Sequence, residues 1–186
     1  MIELKNVSKF YGEKKVLSGI NLSLREDERI CVMGQSGVGK TTLLRILARL
    51  EKSYSGEAIN TFGSISVVFQ EDRLCEELSA LTNVMLVSSD KKRAKALLKS
   101  LGLSDSIDKL VCELSGGMKR RVAIARALSC DFDLLLLDEP FRGLDEETKK
   151  RVCSVINQNT KNKALVLITH ESEDAELLDC RRLDIF

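Results

Sequence analysis

Proline and histidine occur once each in this chain of 186 residues, as Pro140 and His170, and aromatic residues make up only 4% of it. A single proline leaves no proline-rich linker, and no low-complexity tract or internal repeat stands in for one. Neither sign of charge dominates: 29 Lys and Arg face 28 Asp and Glu, for a net charge of +1. That balance offers no electrostatic argument for nucleic acid, which would favour a basic patch or high pI, so no nucleic-acid partner is expected. No apolar run approaches the roughly 20 residues that cross a bilayer. The opening Met1-Ile2-Glu3-Leu4-Lys5 also lacks the basic-then-apolar layout of a signal peptide. Any membrane association is therefore expected to come through a protein partner. The six cysteines (Cys31, Cys75, Cys112, Cys130, Cys153, Cys180) include no Cys-x-x-Cys pair. Reduced thiols are expected, most of them small apolar core residues.

What is present is an ordered alternation of strand and helix patterns. Ile2 and Leu4, then Leu22 and Leu24, alternate as half-buried strands do. Arg29-Ile30-Cys31-Val32-Met33 is a short apolar strand ending at Gly34, and from Thr41 the spacing of Leu43, Leu44, Leu47 and Leu50 turns helical. Ser64 to Phe69 reads as a further strand. Asp90 is placed to cap a helix carrying Ala94, Leu97, Leu98 and Leu101, with Gly102 to end it. Ser115 is placed to cap a second, carrying Met118, Val122, Ala125 and Leu128. Strands return at Leu134–Leu137 and Ala164–Ile168, around a helical pattern of Val152, Val155 and Ile156. The pattern predicts one α/β domain with a mostly parallel sheet. Its core covers about 1–71 and 131–186, and a helical lobe is inserted over about 72–130.

Between a buried strand and an amphipathic helix stands Gly34-Gln35-Ser36-Gly37-Val38-Gly39-Lys40-Thr41, followed by Thr42. This matches the G-x-x-x-x-G-K-[ST] phosphate loop. Its glycines let successive N–H groups turn onto phosphate oxygens, and the helix N-terminus adds partial positive charge. Lys40 is long enough to reach the outer phosphates, and the Thr41 hydroxyl suits Mg²⁺. Leu134-Leu135-Leu136-Leu137 delivers Asp138 and Glu139 to the end of a buried strand, where open α/β sheets place their ligand crevices. Asp138 is suited to hold Mg²⁺. Glu139 is suited to orient and deprotonate a water attacking the γ-phosphate. A surface turn favoured by Pro140 is the plainer account of such a pair in isolation. His170, at the end of the next apolar strand, is placed to bond the γ-phosphate. Glu113-Leu114-Ser115-Gly116-Gly117-Met118 offers a second anion grip, built from a serine hydroxyl, glycine N–H groups and a helix N-terminus.

In this order the motifs resemble those of the nucleotide-binding subunit of ATP-binding cassette (ABC) transporters, over nearly the whole chain. The resemblance implies a P-loop NTPase (RecA-like) core with N-terminal antiparallel strands, an ATPase activity, and ATP and Mg²⁺ as ligands. It implies that Gln70 touches Mg²⁺ and senses the transmembrane partner, and that Gly143-Leu144-Asp145 is the D-loop. It also implies that Tyr11 stacks on adenine with Val16 beside it, although an aromatic and a valine near a strand end are more often core residues. The family works as a head-to-tail dimer, of this chain with itself or with a related ATPase subunit. Ser115, Gly116, Gly117 and Met118 of one subunit would then grip the ATP on the other subunit's Lys40. Lys119, Arg120 and Arg121 would add positive potential there or form a solvated helix face.

Val68-Phe69-Gln70-Glu71-Asp72-Arg73-Leu74 and Ser115–Leu128 resemble the nitrate/sulfonate/taurine importer group, with Cys75-Glu76-Glu77 where members usually carry Leu-Pro-Trp. The chain ends soon after His170, so no C-terminal regulatory domain is expected. The resemblance implies transmembrane permease subunits as partners, a solute-binding protein as a further one, and a cytoplasmic location at the inner face of the membrane through the permease. An exporter-type or non-transport complex, such as a cell-wall or division regulator, is the alternative at this point.

Overall fold

The computed structural model describes residues 1–35 and 37–184. Backbone contacts divide the chain into two units, one of residues 1–67, 132–138 and 162–186, the other of residues 68–131 and 139–161.

The first unit carries the sheets. Strands β1 (Ile2–Tyr11) and β2 (Lys14–Leu24) form an antiparallel hairpin, and β4 (Ser55–Asn60) pairs antiparallel with β1 to give the order β2-β1-β4. The early alternation is as expected, since Ile2, Leu4, Leu22 and Leu24 are all buried. It does not run the length of β1. The pairing with β2 shifts between Leu4 and Val7, beside Asn6 at φ +51. An extra residue reverses which side chains face inward, so Val7 and then Lys9 are buried after Ile2 and Leu4.

The second sheet has the order β5-β6-β7-β3-β8, built from β3 (Arg29–Met33), β5 (Ile65–Val68), β6 (Leu134–Asp138), β7 (Ala164–Ile168) and β8 (Arg181–Asp184). Its β6–β7, β7–β3 and β3–β8 pairings are parallel. Every residue of β6 and β7 is buried, as are Ile30, Cys31 and Val32 of β3. Such uninterrupted apolar runs mark strands covered on both faces. Helix α1 (Lys40–Leu47) packs on β2 and β6, and α6 (Ser172–Leu177) packs on β3. The start of β6 is pinned to the chain before β5 by Asp133, whose Oδ2 accepts from Ser64 N at 2.8 Å and from Ser64 Oγ at 3.0 Å.

The second unit is helical. It comprises α2 (Ala80–Met85), α3 (Lys91–Ser100), α4 (Gly116–Ser129) and α5 (Glu146–Asn159). Helices α2, α3 and α4 pack on one another, and α5 joins α3 and α4. The caps are those read from the sequence. Asp90 accepts from Arg93 N at 2.9 Å at the start of α3, and Gly102, at φ +74, ends it. Ser115 caps α4 by accepting from Met118 N at 3.4 Å. The cysteines depart from expectation. Only Cys31 and Cys153 are buried, Cys130 and Cys180 are half-buried, and Cys75 and Cys112 are exposed. Among the described residues no helix is long and apolar enough to cross a membrane.

Candidate functional site

In the first unit the phosphate loop rests against β2, and Gly39 is where that contact decides the residue. Its φ is +106, and a Cβ there would lie 2.6 Å from the Val16 carbonyl oxygen and 2.8 Å from Leu17 Cδ2. Only glycine fits both the conformation and the space. Val16 thereby acquires a place: it walls the loop from behind. Of the other loop residues, Gln35 and Gly37 are exposed and Gly34 and Val38 are half-buried. Ser36 lies outside the described residues.

Lys40 opens α1 with its side chain buried, and its Nζ donates to the carbonyls of Gly34 at 2.6 Å and Gln35 at 3.0 Å. The loop thus holds its own cation. The next residue makes the decisive contact: Thr41 Oγ1 donates to Asp138 Oδ2 at 2.8 Å across 97 positions of sequence. Asp138 ends β6 at 1% exposure, while Thr42 follows on α1, half-buried. A hydroxyl and a carboxylate oxygen this close are hard donors of the kind Mg²⁺ takes together with phosphate oxygens and water, so the pair fits that ion. Among the described residues no cluster of three or more His, Cys, Asp or Glu forms an all-protein metal cage.

His170 is exposed directly after β7, between residues held in place. Buried Thr169 donates through Oγ1 to Asp174 Oδ2 at 2.6 Å and accepts from Glu171 N at 3.1 Å. Tyr11 sits at the tip of the β1–β2 hairpin, 47% exposed. Its hydroxyl donates to Glu51 Oε2 at 3.0 Å, and Lys9 Nζ lies 4.6 Å from its ring centroid. The N–H of Ser53 first, then Lys9 and the Tyr11 hydroxyl, hold the Glu51 carboxyl down to about 2.

The second unit begins its later segment at Glu139, half-buried between Asp138 and Pro140. Its φ is +48, a left-handed conformation uncommon for a residue other than glycine. Backbone strain of this kind gathers at functional positions. Gln70 is exposed. Ser115, capping α4, is exposed, and the two glycines after it differ. A Cβ on Gly117 would meet Gly143 O and Leu144 Cδ2 at 3.3 Å, whereas one on Gly116 would meet nothing within 4 Å. Met118 is half-buried. Asp145 caps α5: Thr148 donates its N–H to Oδ1 at 2.9 Å and its hydroxyl to Oδ2 at 2.8 Å, and the two bonds hold the carboxyl below its ordinary range.

The Lys119-Arg120-Arg121 run is neither a free positive patch nor a solvated face. Lys119 Nζ bonds Glu76 Oε1 at 2.7 Å. Arg120 is 5% exposed, donates to the carbonyls of Phe69 (2.7 Å) and Gln70, and lies 3.2 Å from Asp72 Oδ1. Arg121 donates to the carbonyls of Leu101, Gly102 and Gly117. Burial pushes the Asp72 carboxyl up, against the opposing pull of Arg120, Lys119 and Arg126. The three cations are braces within the unit. Sequence reasoning missed this brace and the Lys9–Glu51 pair. Unbroken alternation from Ile2 and Leu4 would turn Lys9 outward, and the bulge at Asn6 turns it inward; no local pattern pointed to Arg120.

A profile described as ABC transporter matches residues 17–142. The chain is 40% identical over 182 residues to the aliphatic sulfonates import ATP-binding protein SsuB 2 of Pseudomonas syringae pv. syringae, an alignment covering 95% of this chain and 66% of that one. It is 39% identical over 202 residues to the uncharacterized ABC transporter ATP-binding protein MJ1508 of Methanocaldococcus jannaschii, covering 93% and 90%. The chain thus spans about two thirds of the length of the sulfonate importer protein. Among solved structures, the dimeric post-hydrolysis state of the ATP-binding cassette MJ0796 bound to ADP and Pi superposes with a TM-score of 0.88 at 32% identity, covering 99% of this chain and 94% of that one.

Proposed function

The chain belongs to the ABC transporter family, and from that premise we propose that it is an ATP-hydrolysing subunit whose head-to-tail dimer drives a membrane permease. The observation that carries the reading is the 2.8 Å bond between Thr41 and Asp138. It joins the first helical residue of a phosphate loop to the buried acid at a strand end, the two groups that a metal-nucleotide requires together.

In this reading the loop N–H groups and Lys40 bind the phosphates, and Thr41, Asp138 and Gln70 hold Mg²⁺. That ion, when bound, neutralises charge on the outer phosphates and orients them. Glu139, one peptide bond from Asp138, positions the attacking water and takes its proton as the water oxygen bonds to the γ-phosphorus and the bond to ADP breaks. His170 donates to the γ-phosphate. Ser115, Gly116, Gly117 and Met118 close on the ATP of the opposite subunit, and Asp145 lies at that interface. Gly116 supports this assignment, since neither a positive φ nor a neighbouring atom accounts for its missing side chain.

The partner is a permease, at whose cytoplasmic side the chain works. The printed role of the sulfonate relatives makes an importer the first choice, with an alkanesulfonate as the first cargo to test and a solute-binding protein as a further partner. The test is Glu139→Gln. This variant should bind Mg·ATP, turn over at least about 100-fold more slowly as expected for loss of a general base, and elute as a dimer only with ATP. Parent-level turnover would remove Glu139 from the mechanism.

A further inference from the structure

The bulged end of β1 buries a lysine that the phosphate chemistry does not use, and everything around it leads to Tyr11. Lys9 is 5% exposed, and its Nζ lies 3.2 Å from Glu51 Oε1 and donates to the Ser53 carbonyl. Glu51 is just as tied: Oε1 also accepts from Ser53 N at 3.0 Å, and Oε2 accepts from the Tyr11 hydroxyl at 3.0 Å. The Tyr11 ring is therefore fixed at its hydroxyl by a carboxylate and has an ammonium 4.6 Å from its centroid. It nevertheless remains 47% exposed.

A solvent-facing tyrosine held at its hydroxyl, with a cation against the ring, is an ordered aromatic surface. Ordering it beforehand removes the rotamer entropy that a flat ligand would otherwise have to overcome. Its place in the unit indicates which ligand. Tyr11 pairs with Lys14 at the start of β2, and Val16, two residues further along that strand, abuts Gly39 of the phosphate loop. Two strand residues span about 7 Å, so along β2 the partner of Tyr11 stands about that far from the residue that meets the loop, a separation on the scale of a ribose.

We propose that Lys9 and Glu51 are positioning residues that clamp Tyr11 as a stacking platform for the purine base, and so make binding depend on the base as well as the phosphates. The proposal rests on the ATP-binding reading above, and on Tyr11 as the adenine contact that the family resemblance implies. Without the clamp the ring would sample rotamers, and the base would lose its partner while the phosphate loop stayed intact.

The chain has no tryptophan and two tyrosines, so Tyr54→Phe leaves Tyr11 as the sole tyrosine emitter. In that background, ATP and inorganic tripolyphosphate, each with Mg²⁺, are titrated while emission and affinity are read together. ATP should change Tyr11 emission and tripolyphosphate should not. No change with ATP would overturn the base contact itself, and the clamp with it.

Glu51→Gln, Lys9→Met and Tyr11→Phe should each weaken ATP by up to about tenfold, the worth of one stacked ring, with tripolyphosphate affinity unchanged. Combining Glu51→Gln with Tyr11→Phe should add no further loss, because both cut one bond. Parent-like ATP affinity in Glu51→Gln and Lys9→Met, with Tyr11→Ala weakened, would overturn the clamp and leave the base contact standing. Equal losses for ATP and tripolyphosphate would also overturn it, as the mark of a purely structural role. Melting temperatures identify any variant that fails to fold, and Tyr11→Phe, at an exposed position, then carries the test.

Discussion

At the residue scale, the phosphate loop shows how a motif letter becomes a steric requirement. Glycine at position 39 is demanded twice, by a φ of +106 and by the Val16 carbonyl 2.6 Å from where a Cβ would stand. A backbone carbonyl cannot swing aside as the far end of a lysine can, so the conflict must move the loop or the strand. Gly39→Ala should therefore lower ATP affinity by about 5- to 150-fold, the equivalent of the 1–3 kcal/mol that a strained φ costs. Gly37→Ala makes the informative comparison. Its φ is also positive, at +83, but no atom lies within 4 Å of its Cβ position. Calorimetric titration with Mg·ATP should rank Gly39→Ala as the weaker binder, and the reverse order would show that the contact with β2 does not shape the loop. Glu139 presents the same tension without a glycine to relieve it, holding φ at +48 just before Pro140.

At the element scale, α4 is fastened across its first turns. Ser115 satisfies the N–H of Met118, and Arg120, one turn in, gathers the carbonyls of Phe69 and Gln70 and the carboxylate of Asp72. Replacing Arg120 with Met would leave two carbonyls and a half-buried acid without their cation, a change expected to cost about 3 kcal/mol. Urea unfolding should show that loss as a lowered midpoint, and a midpoint unchanged from the parent would make the brace decorative. The sequence told the elements apart where a local rule applied. Serine and aspartate caps, the Gly102 stop and the unbroken leucines of β6 each carry their reason within a few residues. It was silent where the reason is distant. Strands β4 and β8 are short and mixed, with no fully buried residue, and exist because β1 and β3 offer them an edge. Arg120 looked like one of three surface cations because its partners are about 50 positions away. Nothing in the sequence marked Lys9, because the shift beside Asn6 that turns it inward has no local signature. Thr41 and Asp138 were legible only because each belongs to a motif that implies the other.

At the scale of the whole molecule, the question is why a chain should carry a Ser-Gly-Gly turn at Ser115, proposed as an anion grip, in addition to the phosphate-loop motif at Lys40. The two lie in different contact units of the fold, and the proposed two-fold head-to-tail pairing would supply each with the other from a second copy. That arrangement makes a quantitative demand. On the proposed roles, Lys40→Ala removes the cation that binds phosphate and Ser115→Arg obstructs the turn that grips it, so each variant alone should be inactive. In a mixed dimer the two lesions fall on the same composite site, and the other site keeps an intact Lys40 and an intact Ser115. An equal mixture should form mixed dimers in half of its pairs, each with one working site, and recover about a quarter of the parent ATPase rate if subunits pair at random in a two-fold dimer. Tagging the two variants differently and isolating the doubly tagged species should raise the recovery to about half. If the doubly tagged dimer forms with ATP and remains as inactive as its parents, the grip at Ser115 serves its own subunit, and the second copy has another purpose.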